Sequence, residues 1–449
     1  MSKNKSINIQ SISGFSEYLP DEQVLFDKLK RIFEDFFLKH GFIPLDTPVI
    51  ERSEVLFAKE GGETSKQVYF VKNKNSSNDD EFALRFDLTV PFARYVANNF
   101  SELVFPFKRY AVAKVYRGER TQKGRSREFY QADFDVVSPK LHISSDIMYT
   151  YLISEVLNRI LNLLNLKNID TSFTVHVSNR KILNGVLSYM NVSDENKITV
   201  LRIIDKIRKV HKNEIVGMLI DETDLSKESI NELLEIVSLS GDNKFIIDKL
   251  EKLPFMENSV FSEGVSELKY FISSDPKSNV QIDLSITRGL DYYTGTVVET
   301  FFNQYSDFGS IFSGGRYDNL VGDFANQKLE GFGLSFGLSR FFDLVLTWNS
   351  NGSCNIKSII QDGVLFAYTT DYYQIHLIDD LISLNIRTDI SILKDISKQY
   401  KYAEYNNFKY IVVIDGQDIN KKFKVKNLIN QNNIIASLVE IKDFIINNN

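Results

Sequence analysis

The spacing of apolar positions marks out the elements. Leu25, Leu29, Ile32, Phe33, Phe36 and Phe37 recur three or four apart and form one face of a helix. Pro20, Asp21 and Glu22 suit its first turn, and Gly41 is a natural stop. Residues 42–50 then read as extended, broken by Pro44 and Pro48. Residues 147–164 predict a second helix, 172–177 a short strand and 179–187 another helix. Residues 82–97 and 104–137 predict strands and helices dense in polar side chains.

The pattern changes near Val192. From there to about Ser274 the chain is rich in Lys, Glu, Asp, Leu and Ile at helical spacing. Val200, Ile203, Ile204, Ile207 and Val210 make one stripe, and Ile230, Leu233, Leu234 and Val237 another. This segment predicts a helical insertion between two parts of a mixed α/β domain. Strands and glycine-rich turns return over 281–346. Beyond a linker, strand 364–368, helix 372–384, strand 386–390, helix 393–405 and strand 410–414 predict a small α/β domain with a parallel sheet. The expected division is 1–190 with 275–348, the insertion 191–274, the linker 349–362 and a C-terminal domain 363–449.

Composition narrows the function classes. A chain of 449 residues is long enough for about two to four domains. A single cysteine, Cys354, removes an internal disulfide framework and any zinc site with two or more cysteines. Five scattered histidines without an HExxH pattern argue against a structural zinc. The chain lacks an apolar run of about 18 residues, which argues against a membrane span. Residues 1–14 have no apolar stretch of the secretory kind, so a cytoplasmic location is expected.

The net charge of −6 hides a strong local departure. Residues 104–131 hold Lys108, Arg109, Lys114, Arg117, Arg120, Lys123, Arg125 and Arg127, against Glu119 and Glu128 only. The loop 118–125 lies between two strand-like runs, so it should project. On the return strand, Gln131, Asp133 and Asp135 share one face and Tyr130, Ala132, Phe134 and Val136 the other. Two carboxylates and an amide beside guanidiniums suit a pocket for a cationic or hydrogen-bonding ligand while arginines hold phosphate. An exposed sheet face would show the same alternation.

Two further segments carry chemistry. In 287–295, Arg288 is a fixed cation, and beside polyanionic phosphate it would stabilise transition-state charge. A tight hairpin with an ordinary surface arginine is the plainer alternative. Residues 313–318 and 331–340 both read as strand, glycine-rich turn, then helix, with Arg340 in the first turns of a helix at a sheet edge. Neither is a dinucleotide fingerprint or a P-loop.

Together these segments resemble the class II aminoacyl-tRNA synthetases, and within them the histidyl-tRNA synthetase family. Residues 42–51 with Pro48 look like motif 1. Val115-Tyr116-Arg117-Gly118-Glu119-Arg120, the loop, and Arg127-Glu128-Phe129-Tyr130-Gln131 look like motif 2, and 331–340 like motif 3. Arg288-Gly289-Leu290-Asp291-Tyr292-Tyr293-Thr294-Gly295 and Gly315-Arg316-Tyr317-Asp318 resemble segments particular to the histidine enzymes. The resemblance runs from about residue 10 to the end. Thr121 departs from the proline that bacterial members usually carry in the motif 2 loop.

The resemblance implies an α+β catalytic domain with a mainly antiparallel sheet, a helical insertion, and a C-terminal α/β domain of the anticodon-binding kind. It implies a histidine–tRNA ligase that uses ATP and Mg²⁺, forms histidyl-adenylate, charges tRNA(His) and works as a homodimer. Arg117 would bind the α-phosphate and the histidine carboxylate, Glu119 would face adenine, Arg340 would hold the γ-phosphate, and Arg288 would sit by the α-phosphate. Asp87, Thr89 and Gln131 would hold the backbone groups of L-histidine. Asp135 and Tyr293 would read the imidazole, with Tyr292 beside them. Arg120, Gln122, Lys123 and Arg125 would approach the tRNA acceptor end. No protein metal ligand is assigned; magnesium would ride on the ATP phosphates. From Asp362 on, ten Lys and Arg face eleven Asp and Glu, so composition alone reveals no RNA surface there. Two other readings fit part of the pattern: a non-catalytic regulatory subunit of ATP phosphoribosyltransferase, and another class II synthetase.

Overall fold

The computed structural model describes residues 7–58, 67–72, 81–208, 210–274, 279–287, 293–318, 320–322, 324, 327–368, 375–391, 393, 395–414 and 422–448. The chain clusters into two compact units, one of Met1–Glu17 with Asp27–Ser353 and one of Tyr18–Phe26 with Cys354–Asn449.

The first unit is built on an eight-stranded sheet. Its order is Ile43–Pro44, Phe107–Tyr116, Glu128–Ser138, Glu330–Phe336, Phe312–Tyr317, Thr296–Phe302, Phe173–Asn179 and Val280–Ile282. Only the two outermost pairs are parallel; every other pair is antiparallel. The expected alternation on 128–138 is present, and its two faces do different work. Phe134 stacks on Phe37 with ring centroids 4.4 Å apart and on Tyr149 at 5.7 Å, so one face is covered by helices Pro20–Lys39 and Ser144–Leu164. Phe33 of the first helix meets Phe336 at 4.4 Å. Each such ring taken fully from water contributes about 1.5–3 kcal/mol. The other face carries Gln131, Asp133 and Asp135. Farther along, Trp348 of helix Leu338–Ser350 is fully buried against Phe302 and Phe341.

Two glycine-rich segments differ from expectation. Residues 313–317 and 331–336 are not turns but strands, Phe312–Tyr317 and Glu330–Phe336, paired with each other inside the sheet. The second therefore delivers Arg340 from the sheet interior and not from an edge. Glycine's low strand preference is overridden by crowding above the strand. A Cβ on Gly333 would collide with Asp135 Oδ1, and one on Gly331 with the Tyr317 ring.

The described residues from 194 to 274 form helices Asp194–Ile204, Lys212–Glu222, Lys227–Val237, Asn243–Leu250 and Ser259–Ser274, with a short 3-10 turn at Pro254–Glu257. Ser193, Ser226 and Asp242 cap three of them through side-chain oxygens. The first helix ends at Ile204, so Ile207 and Val210 of the expected stripe follow it in a turn.

The second unit holds a five-stranded sheet in the order Thr388–Ser391, Asp362–Tyr368, Phe408–Ile414, Phe423–Asn427, Asn433–Ala436. The first three are parallel, as the alternation of strands and helices predicts. The last two add antiparallel to them, which the sequence reading did not anticipate. Its core includes Val364, Phe366, Tyr410, Val412, Ile441 and Ile445. Residues 356–360, placed in a linker, form a short helix.

Candidate active site

Strands Phe107–Tyr116 and Glu128–Ser138 pair over ten residues, which brings the polar face of the second beside the end of the first. Motif 2 and motif 3 then meet at a cleft of about 660 Å³, counted out to its open mouth. Arg117, Glu119, Arg125, Gln131, Ser335 and Arg340 line it.

Arg117 and Arg340 of the cleft are each oriented by backbone carbonyls. Arg117, one residue past its strand, donates from Nε to the Phe86 carbonyl at 3.0 Å and rests 5.2 Å from the Phe129 ring centre. Arg340 donates from Nε to the Gly124 carbonyl at 2.9 Å and from Nη1 to the Ser310 carbonyl at 2.6 Å. Burial pushes the Asp343 carboxyl beside it up to about 6, against the pull of the Arg340 charge.

The motif 2 loop closes in a turn, with Gln122 and Arg125 exchanging backbone hydrogen bonds and Gly124 at φ +66°. Arg120, Gln122 and Lys123 are exposed. The loop projects, but its charge is partly matched. Lys123 pairs with Asp307 at 2.8 Å and sits 4.0 Å from the Phe308 ring centre, and Arg125 Nη1 donates to Glu119 at 3.3 Å. Lys114 similarly pairs with Glu128 at 2.7 Å.

Deeper, Gln131 Nε2 donates to Ser335 Oγ at 2.8 Å, while its Oε1 is buried without a partner among the described residues. Asp135 is buried. Its Oδ1 accepts from Tyr317 Oη at 3.0 Å, and its Oδ2 forms a 2.8 Å ion pair with Arg109, its cross-strand neighbour. Asp133 is buried as well. Burial raises its carboxyl to about 7, with Arg109 pulling it down and Asp135 pushing it up. Asp135 is also raised by burial, against Arg109 and the Tyr317 hydrogen bond.

Asp87 keeps partial solvent access but is closely surrounded by protein. Its Oδ1 accepts from Val90 N–H at 3.1 Å, capping helix Thr89–Asn98, of which Thr89 is the first residue. Burial pushes the Asp87 carboxyl up to about 6, opposed by that hydrogen bond, by Arg117 and by Arg109. Tyr293 packs against the cluster containing Tyr317 and Phe92.

The expected residues thus gather as one group lining the cleft, Arg117, Glu119 and Arg340, and one deeper polar group around Gln131 and Asp135. Arg288 and Tyr292 lie outside the described residues. The sequence reading gave no role to Arg109, Ser335 or Tyr317. Arg109 was hidden as one of eight basic residues; only strand register reveals its partner. Arg316 proves structural, with an ion pair of 2.8 Å to fully buried Asp146.

A mainly antiparallel sheet flanked by helices, with arginines delivered by its motif 2 and motif 3 segments, is the class II aminoacyl-tRNA synthetase fold. Residues 14–341 match the family described as histidyl-tRNA synthetase. The chain belongs to the histidyl-tRNA synthetase family. It is 40% identical to the histidine–tRNA ligase of Finegoldia magna, over 97% of this chain and 99% of that one. It is 41% identical to that of Clostridium tetani over 96% of both. A crystal structure of histidyl-tRNA synthetase from a Nostoc species superposes with a TM-score of 0.84 at 30% identity, covering 99% of this chain and 100% of that one. A Bacillus halodurans structure titled as an ATP phosphoribosyltransferase regulatory subunit/histidyl-tRNA synthetase shares the fold at 18% identity, with a TM-score of 0.71, covering 92% of this chain and 100% of that one.

Proposed function

We infer how this site carries out its family's reaction. The chain is a histidine–tRNA ligase, with ATP, L-histidine and tRNA as substrates. The observation that carries the residue roles is the convergence of Arg117 and Arg340 on one cleft whose inner wall is Gln131. ATP lies in the cleft with its phosphates toward the two arginines and its adenine toward Glu119. Histidine lies deeper, its ammonium by Asp87 and Thr89 and its backbone by Gln131. Its ring meets Asp135 and Tyr293, with Tyr292 alongside. A carboxylate has about four acceptor positions, so Asp135 can take a ring N–H while keeping Arg109 and Tyr317.

The histidine carboxylate oxygen attacks the α-phosphorus and the bond to pyrophosphate breaks. The ribose 3′-hydroxyl of the terminal tRNA adenosine then attacks the histidyl carbonyl, releasing AMP. No protein nucleophile is needed. Arg117 and Arg288 stabilise the charge that develops on the α-phosphate. Magnesium accompanying the ATP phosphates would supply further charge neutralisation there. An ion held mainly by phosphates needs only one or two protein oxygens. Glu119 and Asp343 are the carboxylates lining the cleft.

Arg120, Gln122, Lys123 and Arg125 meet the tRNA acceptor end, residues from about 363 meet the anticodon, and 191–274 act as an insertion in the catalytic domain. The likeness of 42–51 to motif 1 supports a homodimer. No helix among the described residues is long and apolar enough to cross a membrane; a cytoplasmic location is part of this reading. The test is histidine-dependent ATP–pyrophosphate exchange, followed by charging of total tRNA. Well-folded protein without exchange would support a regulatory paralogue. Stimulation by threonine or proline in place of histidine would point to another synthetase.

A further inference from the structure

Arg109 is a guanidinium buried to 1% exposure and does not line the cleft of Arg117 and Arg340. Its contacts come from three places. It is ion-paired with Asp135 at 2.8 Å, and the two are direct neighbours in strand register. Nη2 donates to the Leu88 carbonyl at 2.9 Å, between Asp87 and Thr89. The guanidinium carbon lies 4.5 Å from the ring centre of Phe92, on the helix that begins at Thr89. The Asp135 carboxylate is held on its other oxygen by Tyr317, and a Cβ at Gly333 would occupy its place.

Such an arrangement is poorly explained by stability alone. Burying a guanidinium and a carboxylate has a large desolvation cost, and an apolar pair of similar volume often serves a fold as well. What an ion pair supplies is orientation: the planar guanidinium, laid on the Phe92 ring, aims one nitrogen, Nη2, at both the Asp135 carboxylate and the Leu88 carbonyl. Here the acceptors are the carboxylate on the ring side and the backbone of the segment on the ammonium side.

We propose that Arg109 is a positioning residue for histidine: one guanidinium sets Asp135 and the 87–89 segment as a unit, so that ring and ammonium are read at a fixed separation. This rests on the reading of Asp87 and Asp135 given above. It also accounts for the three carboxylates, Asp87, Asp133 and Asp135, gathered around Arg109. Arg117 is the other cation acting on Asp87.

The test uses the full chain in ATP–pyrophosphate exchange, comparing Arg109→Lys, Asp135→Asn and the unaltered protein. Arg109→Lys keeps the charge and loses the planar group that rests on Phe92 and aims Nη2 at both acceptors. The expected result is a KM for histidine raised by about tenfold to a hundredfold, the scale of a misplaced binding group. The KM for ATP should stay within about twofold, as for removal of an interaction on one substrate only. A histidine KM that does not move, or a loss shared equally by both substrates with a lowered melting temperature, overturns the proposal and leaves Arg109 a structural cation. Asp135→Asn separates the layers: if it leaves the histidine KM unchanged, the reading of Asp135 itself falls. Should Arg109→Lys not fold, Phe92→Leu carries the same test. It removes the ring under the guanidinium and leaves every charge in place. A histidine-selective rise in KM supports the proposal; no rise, or one shared with ATP, overturns it.

Discussion

Arg340 Nε lies 2.9 Å from the carbonyl oxygen of Gly124, so the first turn of the motif 3 helix grips the turn of the motif 2 loop. Its second acceptor, Ser310, is also a neutral carbonyl. A phosphate oxygen is a stronger, charge-assisted acceptor. Arg340→Ala should therefore lower adenylate formation by about 10²–10³, the cost of losing one positioned charge partner. Histidine affinity should be retained. Rapid-quench measurement of adenylate at saturating histidine checks this, and a rate within a few-fold of normal would remove Arg340 from the phosphate site.

Arg288 carries the same logic from sequence alone. Arg288→Ala should slow single-turnover adenylation by about 10²–10³ with little change in melting temperature, because a charge used only in the transition state contributes little to folding. Near-normal single-turnover rates would show that the role is misassigned.

Gly333 has no room for a methyl group beside Asp135. Gly333→Ala should displace that carboxylate and raise the histidine KM. Overpacking should also cost about 1–3 kcal/mol in urea unfolding. Unchanged values for both would mean that the strand shifts freely, contrary to its pairing on both sides.

Folding raises the carboxyl pKa of Asp87 to about 6 and of Asp133 to about 7, from 3.8. Their charged forms are disfavoured in the folded chain. The stability they contribute is thus fully present below the ordinary carboxyl value and is lost as the pH rises through 6 and 7. Asp133→Asn removes one such cost, so its stability relative to the unaltered chain should be greater near pH 8 than near pH 5. Histidine binding runs the other way. Its ammonium needs ionised Asp87, so affinity should fall below about pH 6. Denaturant titrations at the two pH values test the first statement; a constant difference between the two proteins contradicts it.

The motif 2 loop should divide the two half-reactions. Lys123 and Asp307 form an exposed pair of the kind that contributes about 0–1 kcal/mol, so Lys123→Ala should leave melting nearly unchanged. Arg120→Ala and Lys123→Ala should impair tRNA charging far more than histidine-dependent exchange. Removing one cation that neutralises an RNA phosphate should flatten the salt dependence of tRNA binding by about 0.7–0.9 in log–log slope. Equal effects on exchange and charging would place these residues in ATP binding instead.

The helix Pro20–Lys39 was legible because a stripe of leucines and phenylalanines has only one periodic reading. The two faces of 128–138 were legible for the same reason at period two. The glycines at 331 and 333 misled. Glycine usually marks a turn, and here it marks room for side chains from other strands, Asp135 and Tyr317. The strand Phe423–Asn427 carries the alternation Phe423, Lys424, Val425, Lys426, but without a following helix it did not fit the parallel pattern. The pairing of Arg109 with Asp135 depends on register between strands, which local patterning does not encode.

Trp348, sealed among Phe302, Tyr305 and Phe341, is the only tryptophan in the chain. It belongs to the first compact unit, and the second contains none. Indole emission from this protein therefore watches the first unit alone. A red shift on heating or in denaturant dates the opening of the catalytic sheet, while loss of far-ultraviolet ellipticity sums over both units. The interval between the two signals is a direct spectroscopic measure of whether the units melt together.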